Sequence, residues 1–194
     1  ASWDWAFGTR LKVVAVGETG FDLFRVDEGR DIEEIVRMQA ATFREHISLS
    51  RELDLPIVIH CRAALTRLER LIQDEVAHGP IRGVVHCFTG TWEQAKSLLD
   101  LGLHLSFTGM ITFPPRKSDD PAHSVHRVIE RMPPERLLIE TDAPFLAPMP
   151  HRGERNEPVH VRFVAEQIAK LRGLTLEGVG AMATENTRRL FKLH

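Results

Sequence analysis

Short apolar runs along this chain alternate with longer stretches in which apolar residues recur every three or four positions. The short runs are residues 11–16 (LKVVAV), 56–60 (PIVIH), 83–86 (GVVH), 103–107 (LHLSF) and 137–139 (LLI). Runs of this length, rich in branched aliphatics and bounded by Gly or Pro, predict buried strands. The helical spacing falls in residues 31–53, 63–76, 92–101, 124–132, 159–172 and 176–191. Asp31 with Glu34 three positions on, and Thr91 ahead of Trp92, read as helix starts; Gly102 and Gly173 read as stops. Between the elements lie a glycine turn at 17–20, a loop at 111–120 and a polar stretch at 151–158.

Strands alternating with helices mean parallel strands joined by right-handed crossovers, so the class is α/β. Parallel strands put their carboxyl ends on one rim. His60 and His86 each close one of the apolar runs, and Glu18 and Asp142 each fall in the loop that begins where a run ends. Metal-capable side chains at the carboxyl ends of successive strands are how a (β/α) barrel builds an active site. No internal repeat or linker divides the chain, so residues 1–194 are read as one domain.

Imidazole and carboxylate are the ligands of catalytic divalent ions, which lower the pKa of a bound water and stabilise charge on a phosphoryl or carbonyl oxygen. Glu18, His60, His86 and Asp142 are therefore the candidate ligands. Asp142 is also the candidate general base, with a turn-forming carboxylate as the plainer alternative. Arg62 returns to the rim two residues after His60, placed either to grip a phosphate by its fork or to pair with a rim carboxylate. His151, Arg152, Arg155 and Asn156 form a polar cluster, either a substrate grip (Arg152, Asn156) or a solvated loop. His46, His78, His123 and His194 are read as solvated.

The net charge of −2 supplies no global basic field, so any phosphodiester must be held by local groups. Cys61 and Cys87 each follow a candidate histidine, and strand alternation turns them away from the site. They read as reduced, buried residues, and a reducing cytoplasm is the expected compartment. No stretch approaches the ~20 apolar residues of a membrane span, and residues 1–10 lack a signal-peptide pattern.

Several of these segments, in order and spacing, resemble the TatD family of metal-dependent hydrolases. They are GETGFD (17–22), VIHCR (58–62), VVHCFTG (84–90), LSFTGMITF (105–113), LLIETDAPFLAP (137–148), PHRGERNEP (150–158) and NTRRLF (186–191). The resemblance implies a TIM-type barrel of the amidohydrolase kind. It also implies a metal-dependent deoxyribonuclease acting as a 3′-to-5′ exonuclease on DNA or short oligonucleotide ends. Carried over, Glu18 is the bridging ligand, His60 and His86 hold one metal, and Asp142 binds the other and handles the water's proton. Arg62 and the loop from Arg152 to Asn156 fall near the substrate.

Two departures shape the expectation. The family's opening His-x-His pair has no counterpart, since the first histidine is His46, and five strands are read where a closed barrel has eight. Ala63 stands where the family commonly has Asp. The fold expected is thus an incomplete TIM-type barrel of about five parallel strands, whose open edges a homo-oligomer would cover. One or two divalent ions (Mg, Mn or Zn) are the expected cofactor, with about one held tightly by Glu18, His60 and His86. The rivals to a nuclease are a weakly active remnant and an amide or ester hydrolase using the same metal chemistry.

Overall fold

The computed structural model describes residues 13–26, 29–114 and 124–193. Its five strands are all parallel and lie in one sheet in chain order: β1 (Val16–Asp22), β2 (Ile57–Arg62), β3 (Gly83–Val85), β4 (His104–Phe107) and β5 (Leu137–Ile139). A helix follows each of the first four: α1 (Ile32–Glu52), α2 (Leu65–Val76), α3 (Trp92–Asp100) and α4 (Val125–Arg131). Two more, α5 (Val161–Arg172) and α6 (Leu176–Phe191), close the chain.

The helix boundaries follow their chemistry. Asp31 caps α1 by accepting from the Glu33 amide, not through Glu34. Thr91 and Gln94 cap α3 reciprocally, the hydroxyl accepting from the Gln94 amide while the Gln94 side chain accepts from the Thr91 amide. Gly173, left-handed with φ 64°, ends α5, and Thr175 caps α6 two residues later.

Strand alternation divides the sheet's two faces. Ile57, Ile59, Val85, Leu105, Phe107 and Leu137 pack in one continuous core with Phe43 and Ile47 of α1, Leu68 and Ile72 of α2, Leu98 of α3, and Ile168 of α5. Burying each such side chain stabilises the fold by about 1.5–3 kcal/mol before chain entropy is charged against it. The other face carries a smaller cluster of Val84 and Leu138 with Leu190, against which Val58 and Phe191 pack. This second face, farther along the same strands, bears the polar residues of the rim.

The first strand departs from the sequence reading. Residues 11 and 12 lie outside the described segments, residues 13–15 are not strand, and β1 runs through the glycines predicted to turn out of it. The reason is close approach. A Cβ at Gly17 would lie 2.7 Å from the Val58 carbonyl oxygen, and one at Gly20 only 2.1 Å from that of His60. Both glycines have φ above 140°, and the register against β2 shifts between Val16 and Thr19, the mark of a bulge. These glycines let β1 lie against β2 where a side chain would force it away.

Two smaller differences share a cause. All four residues of β4 are buried, so its polar residues His104 and Ser106 are covered from solvent. His46, expected in solvent, is half-buried with Nδ1 2.8 Å from the Thr19 hydroxyl. In both cases packing of a second layer covers what alternation would expose. The loop residues 115–120, with His123 and His194, lie outside the described residues. No helix among the described residues is long and apolar enough to cross a membrane.

Candidate metal centre

The register pairing Ile59 with Val85 sets His60 beside His86, and the pairing of Gly20 with His60 brings β1 alongside. Glu18 enters this neighbourhood from the bulged part of β1. Glu18 Oε1 lies 2.8 Å from His60 Nδ1 and 3.0 Å from His86 Nε2, and the two ring nitrogens are 3.0 Å apart. Among the described residues these three form the group able to hold a metal ion.

The donor set fits a divalent cation. Two imidazole nitrogens and a carboxylate oxygen are donor types that such an ion would take. Glu18 is half-exposed and His86 almost covered, so the cluster is anchored below and open above.

Asp142 stands beside this triad and outside it. Its charge is felt by His86, Glu18 and His60, yet its carboxylate is not among the three converging atoms. Burial, with the nearby charges of Glu140 and Glu18, holds its pKa above the ordinary aspartate value against the opposing pull of His86 and His60. The chain leaves the sheet beside the site through non-glycine residues at positive φ: Ala63 (57°) after β2, Cys87 (48°) after β3 and Asp142 (56°) after β5. Such backbone is uncommon outside glycine and gathers at functional sites.

The substrate candidates separate. Arg62 is exposed at the end of β2, with its guanidinium 3.6 Å from the centroid of Phe24, itself 49% exposed. Arg152 likewise lies over Phe113, at 4.4 Å. Asn156, the other residue of this loop read as a substrate grip, is buried at 2%. Its amide donates to the carbonyls of Thr141 and Phe145, and its oxygen accepts from the Glu157 amide. These bonds consume its polar atoms and tie down the loop that carries Asp142. His151 is stacked on His160 with ring centroids 4.4 Å apart and is paired with Glu154.

Two carboxylates not singled out by the sequence reading also touch the histidines. Asp22 Oδ2 is 3.3 Å from His60 Nε2. Glu140 accepts from the Cys87 amide at 2.7 Å and stands 3.6 Å from His86 Nδ1. Burial disfavours charge on both His86 and Glu140, but they stabilise each other's charged forms: the His86 pKa is raised and that of Glu140 lowered. The available signal was parity for the first, since Glu18 and Asp22 are even-spaced along β1, while Glu140 directly follows the last residue of β5. Cys61 and Cys87 are free thiols, pushed up by burial to about 12 and about 11.

Comparison with known proteins gives the family. The family model described as TatD related DNase matches residues 6–192. The chain belongs to the TatD family of metal-dependent hydrolases. It is 40% identical over 193 residues to the uncharacterized metal-dependent hydrolase YabD of Bacillus subtilis (strain 168), covering 100% of this chain and 71% of that protein. It is 34% identical over 185 residues to the 3′-5′ ssDNA/RNA exonuclease TatD of Pantoea ananatis (strain LMG 20103), covering 93% of this chain and 66% of that one. Among solved structures it is similar to YJJV, a TatD homologue from Escherichia coli K12. The TM-score is 0.79 at 29% identity, over 94% of this chain and 65% of the other. The chain thus spans about two thirds of the length of these TatD relatives, and its five parallel strands have the arrangement of the family's TIM-type barrels.

Proposed function

We propose that this TatD-type metal-dependent hydrolase cleaves phosphodiester bonds in DNA, removing nucleotides from the 3′ end. The observation that carries the reading is the meeting of Glu18 Oε1 in β1, His60 Nδ1 in β2 and His86 Nε2 just after β3 within 3.0 Å of one another. Glu18, His60 and His86 would hold a divalent cation, Mg, Mn or Zn. When bound, such an ion supplies a nucleophilic water near neutral pH and draws charge from a phosphoryl oxygen. Asp142, beside the triad, takes the proton of the attacking water. Arg62 contributes a fork for a phosphate oxygen, and exposed Phe24 beneath it offers a ring face to an unpaired base. Phe145, 68% exposed on the Asp142 loop, adds a second such face. The exonuclease name of the Pantoea relative supports the same substrate class.

A 5′-labelled single-stranded DNA oligonucleotide incubated with the chain and added Mg²⁺, Mn²⁺ or Zn²⁺ tests this. The expected result is a ladder shortening from the 3′ end, lost with a chelator and in His60→Ala. An intact oligonucleotide, together with metal-dependent hydrolysis of an aryl ester or an N-acyl amino acid, replaces the phosphodiester reading with amide or ester hydrolysis.

A further inference from the structure

The cation proposed for Glu18, His60 and His86 needs the lone pairs of His60 Nδ1 and His86 Nε2. A neutral imidazole carries its one proton on either nitrogen, so each ring must keep that proton on its far side. The far side of each ring faces a carboxylate from a different strand or strand exit: Asp22 on His60 Nε2, and Glu140 on His86 Nδ1.

Neither carboxylate is a loose surface group. Asp22 Oδ1 accepts from the Phe24 amide at 2.9 Å, which leaves Oδ2 for His60. Its backbone is clamped by Gln39 of α1, which accepts from the Asp22 amide and donates to the Asp22 carbonyl. Glu140 is built alike. Its Oε1 accepts from the Cys87 amide, and its Oε2 faces His86 at a separation longer than a formed hydrogen bond. In both, one oxygen is spent on a backbone N–H and the other is turned to an imidazole, and the Glu140 carboxylate also accepts from the Ser106 hydroxyl.

We infer that Asp22 and Glu140 are positioning residues for the metal centre, fixing the tautomers that leave His60 Nδ1 and His86 Nε2 free to bind a cation. The inference rests on the reading of Glu18, His60 and His86 as metal ligands. For His60 the choice is a competition. Its ring proton has Glu18 at 2.8 Å on one side and Asp22 at 3.3 Å on the other. A cation at the cluster claims Glu18 and Nδ1 together, and Asp22 then accepts the displaced proton's hydrogen bond from Nε2. An outer carboxylate of this kind orients the ligand ring and raises its basicity.

This geometry makes an inverted prediction about substitutions. In Asp22→Asn the remaining oxygen stays on the Phe24 amide, so the new NH₂ faces His60 Nε2 and donates to it. The ring proton is then driven onto Nδ1, the ligand atom. In Asp22→Ala nothing faces Nε2 but water, and the ring can still present a bare Nδ1. The isosteric change is therefore the more damaging one, the reverse of what a purely structural carboxylate gives. Glu140→Gln and Glu140→Ala stand in the same relation to His86.

The test measures Zn²⁺ affinity of the whole chain by competition with a fluorescent chelator, with imidazole ¹⁵N shifts reporting the tautomers. Asp22→Asn should weaken Zn²⁺ binding about 10- to 100-fold, Asp22→Ala less, and the His60 ring of Asp22→Asn should carry its proton on Nδ1. Asp22 lies at the exposed rim, so its variants keep the test open if the Glu140 pair fails to fold. Wild-type affinity in Asp22→Asn, or weaker binding in Ala than in Asn, overturns the inference. The cleavage assay is not part of this readout, so failure on DNA leaves the inference standing. A Zn²⁺ affinity unchanged in His60→Ala removes the metal centre itself.

Discussion

His104 shows how one residue ties the inner layer to pH. It is 7% exposed, Nδ1 has no hydrogen-bond partner, and its other bond is to the Gly83 backbone. Burial, reinforced by the Arg136 and Arg189 charges, lowers its pKa from 6.5 to about 4. The folded chain thus holds the ring neutral where the unfolded chain protonates it. The stabilisation is complete above about pH 6.5 and declines as pH falls toward about 4. The loss between about pH 7 and about pH 5 comes to about 2 kcal/mol. Urea unfolding at the two pH values measures it, and His104→Gln should flatten the difference by that amount. An equally steep loss in the variant would assign the pH dependence to other groups. Sequence alone did not reach this residue, because LHLSF alternates as a half-exposed strand does, whereas all four residues of β4 are buried. The three converging side chains were legible for the opposite reason. Each is a metal-capable residue that interrupts or ends an apolar strand, and parallel order places strand ends together without further information. Asp22 and Glu140 were not, since their roles depend on which imidazole nitrogen each one meets.

At the scale of elements, the glycines of β1 do different work from a glycine inside a helix. Gly20 has φ 142° and no room for a Cβ beside the His60 carbonyl. Gly20→Ala combines left-handed strain with a backbone clash, and should destabilise the chain by about 2–4 kcal/mol. It should also weaken metal binding, since the clash pushes His60 away from Glu18. Gly180 lies within α6 with open space where a Cβ would go and no positive φ. Gly180→Ala should stabilise by about 0.5–1 kcal/mol. Chemical denaturation of both variants checks the signs, and equal effects would mean that close approach does not govern β1. The helices were read from sequence to within a few residues, with α6 at 176–191 in both, because caps and stops are local chemistry. The first strand was misread because two glycines signal a turn and a tight strand pairing alike. Only the partner strand decides between them.

Across the whole molecule, the alternation of strand and helix carried the parallel order of all five strands, and the family gave the barrel type. It did not carry the bulge that admits Glu18. Glu18, His60 and His86 come from β1, β2 and the exit of β3, three adjacent elements that the unfolded chain leaves independent. A cation bound across them therefore binds the folded state far better than the unfolded one. At a free concentration 100 times Kd it should add about 2.7 kcal/mol of stability. The three atoms make one compact cluster, and Asp142 stands outside it. The expected stoichiometry is about one tightly held ion per chain by elemental analysis after buffer exchange. A rise in thermal midpoint with added metal should disappear in His86→Ala. Two tightly held ions per chain would draw Asp142 into a second centre, and would make its carboxylate a ligand as well as a base. A single ion leaves that carboxylate free for the proton, which is the division of labour that three converging side chains and one adjacent acid make available.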